Sequence, residues 1–171
     1  MIIRAPGTQT RRPLIYTANT ITIAADPAVI FKLAAEIERW PLFLPHYRYV
    51  RLLRFSEDGR FKLAAMGARR DFIPVAWTTT QELFPDELPL RIRFRHVRGV
   101  TRGMDVAWLL TPGPRGVHVE IRHDFNPGWP VIGGWLTERI IGEFFVGTIA
   151  GRTLRCVKAT AEAAMVALES R

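Results

Sequence analysis

Residues 136–168 read LTERIIGEFFVGTIAGRTLRCVKATAEAAMVAL, and this stretch decides the fold. Ile140, Ile141, Phe144, Phe145, Ile149, Leu154, Val157, Ala161, Ala164 and Leu168 recur at helical spacing and make a wide apolar stripe. We expect one long helix from about Leu136 to Leu168, with Phe144 and Phe145 turned inward and Gly133-Gly134 interrupting a short lead-in. A helix of that length must lay its stripe against something equally long. The rest of the chain offers only a sheet.

That sheet is written between Tyr47 and Phe125, where the hydrophobic period changes to two. About six runs of strand length are separated by Asp58-Gly59, by Pro85-Asp86 with Pro89, and by Gly113-Pro114-Arg115-Gly116. Such short connections join antiparallel neighbours, since a parallel crossover needs a dozen or more residues. Leu90, Ile92, Phe94 and His96 oppose Arg91, Arg93 and Arg95, and Met104, Val106, Trp108 and Leu110 share one face. Val117, Val119, Ile121, His123 and Phe125 share another, and Ile73, Val75, Trp77, Thr79, Gln81 and Leu83 are the expected inner set of the strand before these. One face apolar and one charged is the pattern of an antiparallel sheet wetted on one side.

Ahead of the sheet, a short strand ends at Thr20-Ile21-Thr22-Ile23. Asp26 then offers a helix N-cap and Pro27 a first helical position, followed by Ile30, Leu33, Ala34 and Ile37 at helical spacing. Pro41 and Pro45 bracket Trp40–Leu44 and restrict it to a turn or a very short second helix. The expected class is therefore α+β: a curved antiparallel sheet of about seven strands wrapped around a long C-terminal helix, with two short helices after strand 1. Residues 1–16 read as an N-terminal extension without a signal-peptide core, and 17–171 as one domain.

Bulk properties exclude several function classes. With 48% hydrophobic and 23% charged residues the chain is a globular one. Cys156 is the single cysteine, so no internal disulfide forms, which suits a cytoplasmic location. The apolar stretch 129–150 is broken by Glu138, Arg139 and Glu143, so no membrane span is expected. The net charge of +8 is carried mainly by arginine and dispersed in alternations, which argues for a solvated strand face and against specific nucleic-acid binding. His118 and His123 point to opposite faces and no acidic or cysteine cluster joins them, so no metal site is expected. Neither the stretch 147–153 nor Gly99 with Gly103 has phosphate-loop or dinucleotide spacing, and we expect these glycines to serve turns and close packing. No cofactor is expected.

The inward polar residues His96, His123, Thr79 and Gln81 admit two readings: orienting groups in an apolar cavity, or buried structural side chains with hydrogen-bond partners. Trp77 and Trp108 have inward parity and serve either core packing or pocket lining.

Asp26-Pro27-Ala28-Val29-Ile30-Phe31 through Glu38-Arg39-Trp40-Pro41, Phe94-Arg95-His96 with Gly99, the run Gly103-Met104-Asp105-Val106-Ala107-Trp108, and His123-Asp124-Phe125, in this order, carry a resemblance. From about Thr17 onward the chain resembles the START-like, or helix-grip, superfamily, in its polyketide cyclase/dehydrase branch, near the coenzyme Q-binding proteins. The resemblance implies a cavity between sheet and helix for a hydrophobic small molecule, aromatic, quinone or isoprenoid-like. It also implies that Trp40, Phe43 and Tyr47 line the mouth, the alternative being that they anchor the short helices on the sheet; inward strand parity adds Trp77, Thr79, Gln81, Leu83, Phe94, His96, Trp108 and His123 as candidate ligand contacts, and the helix stripe adds Phe144. The alternative it implies is an aromatase/cyclase-type enzyme. In such enzymes an arginine on the fourth strand steadies enolate charge; Leu83 stands in its place here, leaving Arg69, His96 and His123 as catalytic candidates. A third class is an interaction protein using the arginine-rich outer face. The oligomeric state is not legible in the sequence.

The space beside the helix is expected to be ligand-sized, on the order of 300–1,000 Å³.

Overall fold

The computed structural model describes residues 15–70, 72–99, 101–125 and 147–170. Strand β1 (Ile15–Ile23) leads into helix α1 (Pro27–Ala35), a single 3₁₀ turn (Ile37–Arg39) and helix α2 (Trp40–Phe43). Six strands follow: β2 (Tyr47–Phe55), β3 (Phe61–Arg70), β4 (Ile73–Phe84), β5 (Leu90–Gly99), β6 (Asp105–Gly113) and β7 (Gly116–Phe125), and then helix α3 (Gly147–Glu169).

All neighbouring strands are antiparallel, in the order β1-β7-β6-β5-β4-β3-β2. β1 and β2 thus hold opposite edges, and only the connection between them is long. The short helices make that crossing over the concave face, which puts Trp40 and Tyr47 above the sheet interior. Register shifts at Tyr47/Tyr49, Leu52/Arg54 and Thr78/Thr79 mark irregularities in β2, β4 and their partners, and extra residues of this kind bend and twist a strand.

Local chemistry explains the elements. Asp26 caps α1 by accepting the Ala28 amide at 2.7 Å, with Pro27 at the first helical position. At the other end the buried Lys62 ammonium donates to the Ala35 carbonyl (3.0 Å) and to Glu38 Oε2 (2.9 Å), so a cation sits where the helix dipole is negative. The turn glycines have positive φ: Gly59 +68°, Gly99 +96°, Gly103 +91° and Gly116 +111°. A Cβ on Gly99 would stand 2.5 Å from the Ala76 carbonyl oxygen, so the close approach there is to strand β4. Gly151, in contrast, leaves ordinary contact distances of 3.6 Å to Arg155 and 3.8 Å to Asn19, so close packing does not demand a glycine at that position.

The strand parity holds through the centre of the sheet. Ile92, Phe94, Val106, Trp108, Leu110, Val117, Val119, Ile121 and Phe125 are all buried, against Ile30, Ala34 and Ile37 of the short-helix region and Ala150, Leu154, Val157 and Ala161 of α3. α3 packs on β1, α1 and α2. It is tied to the end of β1 by Lys158 Nζ to the Thr22 carbonyl (2.7 Å) and by the Ala24 amide to Glu162 Oε1 (2.9 Å). Two expectations fail at the margins. Ile73 is 52% exposed because it lies at the tip of the β3–β4 hairpin, beside exposed Phe72, and Leu168 is 63% exposed because the buried stripe of α3 ends at Ala161. The first part of the expected long helix, including Phe144 and Phe145, lies outside the described residues.

Candidate functional site

A hollow opens between the concave sheet and the start of α3. Its described walls come from every layer: Trp40 and Tyr47 above, Met66 and Trp77 from β3 and β4, Phe94, Trp108 and Ile121 from the sheet centre, and Ile149 and Thr153 from α3. His96, Thr101 and His123 supply polar groups, and Val75, Met104, Val106 and Ala150 complete the lining. The hollow measures 650 Å³ with the solvent at its mouth, of which 80 Å³ is room that water can occupy. This is smaller than the ligand-sized void expected. The reason is the amount of ring in it.

Trp40 is the hub of that aromatic set. Its ring lies 4.9 Å from Tyr47, 5.9 Å from Phe94 and 5.9 Å from Trp108. Its indole N–H donates to the Leu33 carbonyl at 3.0 Å, so the same residue anchors α2 to α1 and lines the hollow. Tyr47 continues the chain to Trp77 at 6.1 Å, and Trp77 stacks on His96 with centroids 5.5 Å apart and planes 18° from parallel.

The two cavity histidines are electrically similar and bonded differently. His96 Nδ1 is 2.7 Å from Thr101 Oγ1. His123 Nδ1 is buried with no hydrogen-bond partner. Burial lowers both pKa values to about 3, helped for His96 by the nearby His123, so both rings are neutral at physiological pH. A buried ring nitrogen without a partner is an unfavourable arrangement that a ligand hydroxyl or a water would relieve.

Seven residues expected from the sequence therefore share one hollow: Trp40, Tyr47, Trp77, Phe94, His96, Trp108 and His123. Others stand elsewhere. Thr79 Oγ1 is satisfied by the Thr80 carbonyl (2.9 Å) and the Arg95 carbonyl (3.1 Å), and Gln81 Nε2 reaches the Ala34 carbonyl (3.4 Å) beneath α1. Phe43 and Leu83 pack against the core and are not among the lining residues. Phe144 lies outside the described residues. Arg69 is exposed at the end of β3 and opens into a separate hollow with Pro45, His46, Arg152, Arg155 and Cys156. Sequence reading missed Met66, Thr101 and Thr153 as lining residues, and His46 behind them. Met66 has inward parity in β3 and was findable; Thr153 depends on the rotation of α3, which the stripe alone leaves loose.

Thr153 holds the wall between the two hollows. Its hydroxyl donates to the Ile149 carbonyl (2.9 Å), lies 2.8 Å from His46 Nε2, and is hydrogen-bonded with the Tyr47 phenol. Burial pushes the Tyr47 phenol well above its ordinary range, so it stays protonated. Among the described residues there is no cluster of three or more metal-ligating side chains. No described helix is long and apolar enough to cross a membrane.

Comparison with known proteins places this geometry. The granaticin polyketide synthase bifunctional cyclase/dehydratase of Streptomyces violaceoruber is 28% identical over 109 residues, 63% of this chain and 33% of that protein. The chain thus spans a third of that relative's length. Among solved structures, the Zhui aromatase/cyclase of a Streptomyces species superposes with a TM-score of 0.74 at 16% identity, covering 86% of this chain and 93% of that one. A START superfamily protein from Mycobacterium smegmatis gives a TM-score of 0.70 at 16% identity, covering 88% and 99%. At these identities the two structures speak for the helix-grip fold and for nothing finer. The sequence profile described as "Polyketide cyclase / dehydrase and lipid transport" matches residues 23–142, from the last residue of β1 past the end of β7, and so takes in most of the walls just described. The chain belongs to that polyketide cyclase/dehydrase and lipid transport family.

Proposed function

We propose that the protein binds a hydrophobic, aromatic small molecule, of quinone or polycyclic phenol type or with an isoprenoid tail, in the hollow between sheet and α3. The observation that carries this reading is His123 Nδ1: a buried, unpartnered nitrogen in a lining otherwise dominated by rings and aliphatic side chains. Apolar walls with a few polar groups are how small-molecule sites fix orientation. Trp40, Tyr47, Trp77, Phe94 and Trp108 supply faces and edges for a planar ligand to stack on. With only 80 Å³ open to water, a polycyclic ligand has to move some of these rings apart.

The family's cyclase members support a second reading, an aromatase/cyclase-type enzyme acting on a poly-β-ketone or aromatic substrate. Two observations weigh against it. Histidines with pKa values of about 3 are poor proton acceptors near neutral pH. No arginine stands among the described lining residues to steady an enolate, and Arg69 faces the other hollow. The outer-face reading is weaker still, since Arg91, Arg93 and Arg122 are engaged with Glu87, Asp105 and Glu120.

Organic extraction of the purified native protein, read by mass spectrometry, together with a thermal-shift screen of quinones and polycyclic phenols, tests the binding reading. A retained apolar molecule or a saturable rise in Tm supports it. Blank results in both remove it.

A further inference from the structure

Phe72 is 91% exposed and stands at the tip of the β3–β4 hairpin, beside exposed Ile73. β4 pairs with β5 only from Trp77 onward, so the hairpin projects past that neighbour by the four residues 73–76, roughly 13 Å of strand. Ile73, Val75 and Trp77 alternate along one face of the projection, opposite Arg70, Ala68 and Met66. Val75, Trp77 and Met66 line the ligand hollow. Ile73 carries the same face outward to the tip, so one apolar track runs from solvent to the stack of Trp77 on His96.

Positive charge gathers at the same end of the sheet. Arg69 ends β3, Arg98 stands near the end of β5 and Arg102 in the β5–β6 turn, all three exposed. The sequence of the two turns adds Arg70 and one acid, Asp71. Asp105 and Asp124 are cross-strand partners on β6 and β7, two and three strands away from β4.

We propose that the β3–β4 tip docks on an anionic lipid bilayer, setting Phe72 and Ile73 among the headgroups while Arg69, Arg98 and Arg102 meet the surface charge. Apolar side chains that enter the headgroup region beside basic residues that face anionic lipid are the two halves of interfacial binding. A protein partner fits the tip less well. Two side chains on a convex point fall far short of the area that a stable protein interface buries. Strand addition along the free edge of β4 is blocked by Pro74, which has no N–H to give. The docking stands on these residues alone. Its consequence, passage of an apolar ligand from the bilayer along Ile73 and Val75 into the hollow, rests on the cavity reading.

Co-sedimentation of the full-length protein with phosphatidylcholine vesicles, with and without one third phosphatidylglycerol and with no ligand added, tests the docking independently of the cavity. Saturable partitioning onto the anionic vesicles is expected, falling as salt screens the surface. Phe72→Ala, at an exposed position, should weaken it at least about tenfold. Arg98→Gln/Arg102→Gln should do the same on anionic vesicles. Phe55→Ala, 70% exposed at the far end of β2 from Tyr47, should leave it unchanged. Anthracene preloaded in the vesicles then reads the consequence: its transfer, followed by quenching of tryptophan fluorescence, should slow in Phe72→Ala while the affinity for dissolved anthracene stays the same. Partitioning without any quenching removes the cavity reading and leaves the docking standing. No partitioning onto anionic vesicles, or equal loss in Phe55→Ala, overturns the docking. So does a Phe72-dependent dimer in sedimentation velocity without lipid, which assigns the tip to a second copy of the chain.

Discussion

Thr79 and His96 are cross-strand partners of the same inward parity, yet one is a structural hydroxyl and the other faces a cavity. The sequence gives both the same alternation, and what separates them is the cover above. α1 closes over the end of β4, so Gln81 bonds to Ala34 and Thr79 to neighbouring carbonyls, while α3 leaves His96 and His123 facing a gap. The His46–Thr153 bond joins residues 107 apart in the chain, and no local pattern marks it. The three histidines with lowered pKa values, His46, His96 and His123, also make a prediction about acid. Their folded pKa values of about 4, 3 and 3 lie below the ordinary 6.5, so between those limits the unfolded chain binds more protons than the folded one. Stability therefore rises with pH over that window and is lost as pH falls through it, with a slope of up to about 1.4 kcal/mol per pH unit for each histidine. Urea unfolding at intervals from pH 4 to 7 should show the loss beginning below about pH 6.5, and His96→Gln should flatten the slope. An unchanged slope in that variant would mean that His96 titrates normally.

At the scale of elements, periodicity located all seven strands, and the Asp26-Pro27 start of α1 was legible because capping chemistry is local. Limits of burial were not, since they depend on how far one layer covers another: Ile73 and Leu168 continue their patterns past the edge of the core. The glycines give a contrasting pair of tests. Gly99 has φ +96° and no room toward the Ala76 carbonyl, so Gly99→Ala should lower stability by roughly 2 kcal/mol or more through backbone strain and displacement of β4. Gly151 sits in the second turn of α3 with space for a methyl group, so Gly151→Ala should raise stability by about 0.5–1 kcal/mol. Chemical denaturation of the two variants beside the parent reads both signs, and a destabilised Gly151→Ala would show that α3 packs more closely on β1 than described.

For the whole molecule, the arrangement of the short helices decides where function sits. Because β1 and β2 are opposite edges, the chain must cross the concave face, and that crossing delivers Trp40 and Tyr47 to the cavity and His46 to its outer wall. The sheet's apolar interior was legible from the alternation alone, but its degree of filling was not, because ring volume and strand curvature trade against each other within a space of a few side chains. The central claim, an aromatic-binding cavity with His123 as its polar handle, is tested most directly by tryptophan fluorescence, since Trp40, Trp77 and Trp108 all line the site. Titration with 1,8-dihydroxyanthraquinone, and with anthracene as its apolar counterpart, should be run on the parent and on His123→Leu. The account predicts saturable quenching at one equivalent, with the dihydroxy compound weakened about tenfold in the variant and anthracene unaffected or slightly tightened. Non-saturable quenching, or equal affinity of the dihydroxy compound for both proteins, would contradict it.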